Sequence, residues 1–241
     1  MNLIKNQWTK DDIKPFLAYL KTFQNKEKEA WARKILNTKL DLLVIPSKRL
    51  GEITREIAKG NLKSYLDLEI FDFYEGIAIY GILLTKIPDF DDMLPYLTKY
   101  LHVMENWAHC DLLSLPITPQ NRNRFLELSD AYLHDSRVFV RRLSLMILFQ
   151  MIKDEDILEI IFDHLLELKT EQAYYVIMMA GWLLCECILL YKDTTLAFIQ
   201  SNPSLNAKIV NKGIQKCRES RRLTPLEKDQ LLVYKRNRKQ A

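Results

Sequence analysis

The sequence predicts an all-α fold, and three observations support this prediction. Only six glycines and eight prolines occur in 241 residues, too few for the many tight turns of an all-β protein. Apolar residues recur at helical spacing in runs separated by short breaks. Several runs open with a capping residue followed by an acid, as in Thr170-Glu171 and Thr224-Pro225-Leu226-Glu227.

The predicted helices follow one another along the whole chain. In the first half they cover residues 11–22, 25–36, a run that begins at Pro46, 68–86, 89–102 and 107–115. Pro46 suits a first helical turn because its ring fixes φ near the helical value. In the second half the helices cover residues 119–133, 135–152, 154–168, 170–191, 194–200, 203–220 and 224–235.

The links between these helices are short, so consecutive helices should be antiparallel neighbours. Grouped in pairs, they recur roughly every 35–45 residues, which is the period of HEAT-type solenoids. We therefore expect an α-α superhelix of HEAT-like repeats with a concave basic groove. No linker rich in Gly, Pro or Ser interrupts the chain, so a single domain over residues 1–241 is expected, with about the last ten residues frayed.

Cysteine usage and hydropathy indicate a cytoplasmic protein. The four cysteines form no C-x-x-C pair, and the N-terminus lacks the apolar core of a signal peptide. From Tyr174 to Tyr191 only Glu186 is charged, so this run approaches the length of a membrane span. A lone carboxylate in mid-span is costly in lipid, and we interpret the run as the most buried helix of a soluble protein.

Charge is distributed unevenly along the chain. The net charge is +4, but residues 201–241 hold 11 Lys and Arg against three acids, a net of +8, which leaves −4 for the first 200 residues. A basic end on an acidic body favours a surface that faces a polyanion. A solvated helix with a basic tail is an equally common explanation.

Several classes of chemistry find no support in the sequence. There is no glycine-rich dinucleotide or P-loop motif and no G-x-S-x-G elbow. Four histidines and four cysteines show no zinc-like spacing, and Cys185-Glu186-Cys187 lies in an apolar run where a thiolate is disfavoured. We therefore expect neither a metal nor a cofactor.

Three segments carry candidate functional residues. Trp107 and Asp111 are four residues apart, so on a helix an indole and a carboxylate share one face. Arg141 and Arg142 begin an apolar run, and Trp182 lies within another. From the residues alone, structural roles are favoured for all of them: core anchors for the tryptophans, a cap or solvated acid for Asp111, and an exposed pair or salt-bridge donors for the arginines.

The order of these motifs resembles the AlkD-like DNA alkylation repair enzymes. The resemblance rests on W-x-x-x-D at 107–111, the arginine pair, YYV-x-M-x-A-x-W-L-L at 174–184, the string from Asn211 to Ser220, and ILNTKLDLLVIPSKRLGEITREIAK near the N-terminus. It implies a HEAT-like repeat fold, which agrees with the periodicity above. It also implies hydrolysis of the glycosidic bond of cationic N3- and N7-alkylated purines in double-stranded DNA, without a pocket for an extruded base.

The resemblance further implies a role for each candidate. Trp107 and Trp182 would face the deoxyribose of the lesion, Asp111 would be the catalytic carboxylate, and Arg142, or less favourably Arg141, would hold a backbone phosphate. Further basic candidates for DNA contact are Lys48, Arg49 and Arg55 in the first half and Lys212, Lys216, Arg218, Arg221 and Arg222 near the end. For each of these, an ordinary solvent-facing cation is an equally good explanation.

We expect a monomer that acts on DNA in the cytoplasm, associated with the nucleoid, without an obligate protein partner or membrane contact. Two other functions stay open. The same fold could bind distorted or branched DNA without catalysis, or it could serve as a HEAT-type scaffold for protein interactions.

Overall fold

The computed structural model describes residues 1–236, and within that range the protein is all-α, as predicted. The contacts divide the chain into two compact units, Met1–Asn121 and the part from Arg122 onward. Residues 237–241, which belong to the stretch expected to fray, lie outside the described residues.

The first unit contains seven α-helices within its described residues. They are α1 (Ile13–Lys21), α2 (Glu29–Leu36), α3 (Ser47–Ala58), α4 (Leu62–Leu66), α5 (Tyr74–Leu84), α6 (Phe90–Val103) and α7 (Trp107–Asp111). Short 3-10 turns at Lys10–Asp12 and Lys26–Lys28 lead into α1 and α2, and the first of them begins one residue before the predicted start at residue 11. The short α4 was not predicted.

Two predicted boundaries are wrong in this unit. The helix expected over residues 68–86 begins only at Tyr74, because Glu69 has a left-handed φ of 49° and Phe73 pairs with Asp41 in an isolated parallel bridge. The helix expected over residues 107–115 ends at Asp111. Leu115 precedes Pro116, and because the residue before a proline is disfavoured in a helix, the predicted end at residue 115 was too late.

An aromatic cluster fills the N-terminal end of the first unit. The rings of Trp8, Phe16 and Tyr65 meet edge to face, with centroids 5.2–5.5 Å apart. All three side chains are buried. Edge-to-face contacts of this kind add to the hydrophobic stabilisation of the core and orient α1 against α4.

The second unit also contains seven α-helices within its described residues. They are α8 (Arg122–Leu133), α9 (Val138–Gln150), α10 (Leu158–Glu167), α11 (Tyr174–Leu190), α12 (Lys192–Ser201), α13 (Ala207–Glu219) and α14 (Pro225–Gln230). The predicted helices in this half agree with them to within a few residues. In the described part of the chain, no helix combines the length and the apolar character needed to cross a membrane.

Two glycines allow α11 and α13 to pack closely. A Cβ on Gly181 would lie 2.6 Å from Cγ and 2.8 Å from Cβ of Lys212, and one on Gly213 would lie 3.0 Å from Cδ2 of Leu184. The absence of a side chain at both positions therefore brings the two helix backbones together. As a result the stem of Lys212 lies against α11 at Gly181.

Arg236 ties the last described residues back onto the second unit. Its guanidinium donates to the carbonyls of Ile199 and Asn202, at 2.7 and 2.6 Å, and to those of Pro203 and Leu205, at 3.1 and 2.7 Å. Its backbone exchanges two hydrogen bonds with the side chain of Asn211. These bonds hold the last described residue against the end of α12, the turn that follows it and α13.

Candidate functional site

Trp107 and Asp111 lie at the two ends of α7, a helix of five residues that is too short to be stable by itself. Asn106, which is buried, caps it: its Oδ1 accepts the backbone N–H groups of Ala108 and His109 at 2.9 and 3.0 Å. The Tyr100 hydroxyl donates to the carbonyl of His109 at 2.8 Å. Both ends of α7 are therefore bonded to buried side chains, which fix the direction of Asp111.

The buried side chain of His109 bonds α7 to Asn106 and to Tyr74. Because Oδ1 of Asn106 is occupied by the helix cap, its Nδ2 donates to Nδ1 of His109 at 3.3 Å, which leaves the hydrogen of the ring on Nε2. Nε2 then donates to the carbonyl of Tyr74 at 3.2 Å. The rings of His109 and Tyr74 stack, with their centroids 4.4 Å apart. Burial lowers the pKa of His109 to about 4, so the imidazole is neutral at pH 7.

The Trp107 indole is bonded along one edge and half-buried. Its Nε1–H donates to the carbonyl of Ile35 at 3.1 Å, at the C-terminal end of α2. Asn37 ends α2 in the left-handed conformation, with φ 53°. The indole thus joins α7 to α2 with its orientation held by a hydrogen bond.

A cavity of about 500 Å³ opens beside Trp107 and Asp111. Its walls come from α2, the segment before α3, the first turns of α3, α5 and α7. The lining residues are Trp31, Ala32, Ile35, Leu36, Leu42, Val44, Ile45, Ser47, Leu50, Tyr74, Glu75, Ala78, Ile82, Trp107, Ala108, Asp111 and Leu112. The two residues of the predicted W-x-x-x-D motif therefore share one cavity, and two carboxylates are its only charged lining groups within the described residues.

Glu75 is the second of these carboxylates, and it was not predicted as a site residue. It is 1% exposed and accepts the backbone N–H of Leu43 at 3.0 and 3.1 Å and that of Ile45 at 3.3 Å. Burial raises the pKa of Glu75, and the backbone hydrogen bonds oppose this shift. The signal in the sequence was one acid inside the apolar run YEGIAIYGILL.

The hydrogen bonds that Glu75 accepts hold an unusual backbone turn in the cavity wall. Val44 lies between Leu43 and Ile45 and has φ 56°, which a β-branched residue rarely adopts. Strained backbone of this kind persists only where the surroundings hold it, and it clusters at functional sites. Glu75 therefore shapes the cavity through the backbone of residues 43–45.

The arginine pair of the second unit is bonded to protein groups. Arg142 is 5% exposed, and its Nη1 donates to the carbonyl of Tyr175 at 2.8 Å. Arg141 pairs with Glu171, with Nε and Oε2 2.8 Å apart, and its Nη1 donates to the carbonyls of Asp135 and Ser136. Both side chains tie the start of α9 to neighbouring segments.

Trp182 lies half-buried on α11, against Phe149, with ring centroids 4.6 Å apart. It borders a shallow pocket of about 230 Å³ that also contacts Glu186, Lys216 and Glu219. Glu186, which lines this pocket, pairs with Arg222, with Nη2 and Oε2 2.5 Å apart.

Three lysines form a stripe along α13. Lys208, Lys212 and Lys216 are four residues apart, so they lie on one face of the helix. Lys212 Nζ donates to Gln215 Oε1 at 2.9 Å, and Lys208 Nζ donates to Gln172. Lys208 was not predicted, although its spacing to Lys212 and Lys216 was visible in the sequence.

The remaining basic candidates are on the surface of their own units. Lys48 is exposed at the start of α3, while Arg49 pairs with Glu52 at 2.7 Å and lies over the ring of Phe23. Arg55 Nε donates to the carbonyl of Gly51 at 3.1 Å. Arg218 and Arg221 are exposed.

Over residues 1–236, no group of three or more His, Cys, Asp or Glu side chains is arranged to hold a metal ion. The four cysteines are buried, and burial raises the pKa of the Cys187 thiol to about 12, so it is not a thiolate at pH 7.

A comparison with models of protein families finds a match over most of the chain. A family model described as DNA alkylation repair enzyme matches residues 16–216, which is about five sixths of the chain. No curated protein matches the chain.

Proposed function

The chain belongs to the family of DNA alkylation repair enzymes, and from this premise we propose that it is a monofunctional DNA glycosylase for cationic N3- and N7-alkylated purines in duplex DNA. The observation that carries the proposal is the position of Asp111. Its carboxylate shares a cavity with an indole that is held by a hydrogen bond.

Excision of such a lesion depends more on electrostatic stabilisation of the transition state than on a general acid. An alkylated purine is already a cation, so when its glycosidic bond breaks, the bonding electron pair neutralises the base. Positive charge then develops on the sugar as an oxocarbenium ion, and this charge sets the barrier. Water adds to C1′ and loses a proton, which leaves an abasic site and a neutral alkylpurine.

Asp111 supplies the opposing charge in this proposal. A fixed carboxylate stabilises the developing sugar cation without having to reorganise during the reaction, and it can accept the proton of the attacking water. The capped and bonded ends of α7 provide that fixed orientation. Trp107 contributes cation–π attraction to the same charge.

Within the second unit, contact of Trp182 with a deoxyribose stays a prediction, and we assign Lys212, Lys216, Arg218 and Arg221 to backbone phosphates. Within the first unit, we assign Lys48 and Arg49 to backbone phosphates. Arg142 and Arg141 already donate to protein carbonyls and to Glu171. A phosphate contact from either arginine would have to share or replace these bonds, and it stays a prediction.

The decisive experiment measures release of 7-methylguanine and 3-methyladenine from methylated duplex DNA. Asp111→Asn keeps the size of the side chain and removes its charge, and we expect it to lower the single-turnover rate by about 100- to 1000-fold. Asp72→Asn is the matched control, since Asp72 is an exposed acid of the same unit outside the cavity lining. Equal rates for the wild type and Asp111→Asn would refute the assignment.

The same assay tests the monofunctional character. The cavity has no lysine among its described lining residues, so no amine is available to form a Schiff base with the abasic product. We expect intact abasic DNA after excision. Tight, salt-sensitive binding to duplex DNA with no base released would replace this proposal by that of a non-catalytic DNA binder.

A further inference from the structure

The cavity beside Asp111 is larger and more apolar than methyl-purine excision requires. Its volume is about 500 Å³, which lies within the range typical of sites for small organic ligands. Away from Asp111 its walls are mainly aliphatic and aromatic. The aliphatic walls come from Leu36, Leu42, Val44, Ile45, Leu50, Ile82 and Leu112.

The cavity offers few polar groups to the hydrogen-bonding edge of a purine. Glu75 already accepts backbone N–H groups from Leu43 and Ile45. Apart from the two acids, only Ser47 and Tyr74 bring hydroxyl groups to the described lining, so a purine drawn inside would lose more hydrogen bonds to water than the wall can replace. An apolar substituent has no such cost and gains from burial.

The mouth of the cavity carries apolar surface that lacks a cover. Trp31 is 64% exposed and Ile35 is 47% exposed, and both face the cavity from α2. Exposed apolar side chains that rim a concave site mark a place where a ligand gains by covering them. Trp31 and Trp107 also give the entrance two indole faces, which favour a cation or an aromatic ring.

We propose that this cavity is a specificity pocket for the apolar substituent of a bulky alkylated purine, such as a benzyl or longer alkyl group, while the cationic purine ring stays outside near Asp111. This arrangement matches the charges of ligand and protein. The cationic ring would lie near the carboxylate of Asp111, and the neutral substituent would contact the apolar wall. The inference rests on the proposed glycosylase function and adds a substrate class to it.

Burial of the substituent predicts a measurable preference. Complete burial of a group the size of a phenylalanine side chain corresponds to roughly 10- to 100-fold in an equilibrium constant. We therefore expect a 7-benzylguanine lesion to be released with a kcat/KM about 10- to 100-fold above that of 7-methylguanine. Both values are divided by the spontaneous depurination rate of the same lesion, which removes the difference in leaving-group reactivity.

Two variants test whether the preference comes from the cavity. Trp31→Ala removes one wall of the mouth, and Ala32→Phe fills the space, because Ala32 is a buried lining residue. Both should lower the benzyl-to-methyl ratio towards one. Ile4→Ala is the matched control, since Ile4 is an exposed apolar residue of the same unit that does not line the cavity, and its ratio should equal that of the wild type.

A binding measurement without DNA separates this inference from the glycosylase proposal. Benzyltrimethylammonium combines a cation with an apolar ring, and its effect on tryptophan fluorescence is compared with that of tetramethylammonium. Tighter binding of the benzyl compound that is lost in Ala32→Phe would support the pocket even if no base were released. Equal, negligible binding of both cations, or a normalised benzyl-to-methyl ratio near one in an active enzyme, would overturn the pocket and leave the role of Asp111 intact.

Discussion

The buried His109 should make the stability of the protein depend on pH in a defined window. In the folded state burial lowers its pKa to about 4, whereas an unfolded histidine titrates near 6.5. Between these values the unfolded chain binds a proton that the folded chain does not. The stabilisation by neutral His109 is therefore complete above about pH 6.5 and is lost as the pH falls towards 4.

The size of this effect follows from the two pKa values. At pH 5.5 an unfolded histidine is about nine-tenths protonated and the folded one almost fully neutral, which gives a slope of about 1.2 kcal/mol per pH unit in the free energy of unfolding. Integrated from pH 7.0 to 4.5, the loss is about 2.4 kcal/mol. This is a large part of the stability of an ordinary domain.

Urea unfolding followed by circular dichroism at pH 7.0 and 4.5 measures this loss. His109→Gln should show a smaller drop between the two pH values by about 2 kcal/mol, because carboxylates titrate equally in both proteins. His102→Gln is the matched control for the loss of a histidine, since His102 is exposed in the same unit. An equal drop in all three proteins, or an NMR titration of His109 near pH 6.5, would refute the reasoning.

Two further predictions concern glycine packing and the lysine stripe. Gly181→Ala should destabilise the protein by about 1–3 kcal/mol, because the new methyl group would lie 2.6 Å from the stem of Lys212. Gly51→Ala should stabilise it by about 0.5–1 kcal/mol, because that helical position has open space around it. Thermal unfolding measures both. The logarithm of the binding constant for duplex DNA should fall with the logarithm of the salt concentration. Changing Lys212 and Lys216 together to Ala should make this slope less negative by about two.

Each of these predictions has its own refutation. If Gly181→Ala left the stability unchanged, α11 and α13 would be able to move apart without a cost in free energy. For the lysines, the control changes Lys153 and Lys169 to Ala, two exposed residues of the same unit. An equal loss of salt dependence in both double variants would show that only net charge matters, and not the stripe on α13.

The helical framework could be predicted from the sequence because it rests on local signals. Helical spacing of apolar residues and capping residues located most helices to within a few positions. The start of α5 could not be predicted in this way. It depends on the pairing of Phe73 with Asp41 and on the left-handed Glu69, and neither contact has a signature in the neighbouring residues.

The candidate site was predictable only in part. The spacing of Trp107 and Asp111 predicted a shared face, and both line one cavity. Glu75 was missed because a carboxylate in an apolar run is seldom buried, and its partners at Leu43 and Ile45 lie about 30 residues earlier. The partner of Arg142 is a carbonyl on a segment about 30 residues later, so no local pattern could predict its burial.

The anchor formed by Arg236 bears on where the chain can be shortened. The family match stops at residue 216, so a boundary chosen from it would delete this arginine. Four carbonyls at the end of α12 and in the turn that follows would then lose this donor. Fragments prepared for crystallisation or for fusion to a tag should therefore keep residue 236, and any added tag is better attached beyond it.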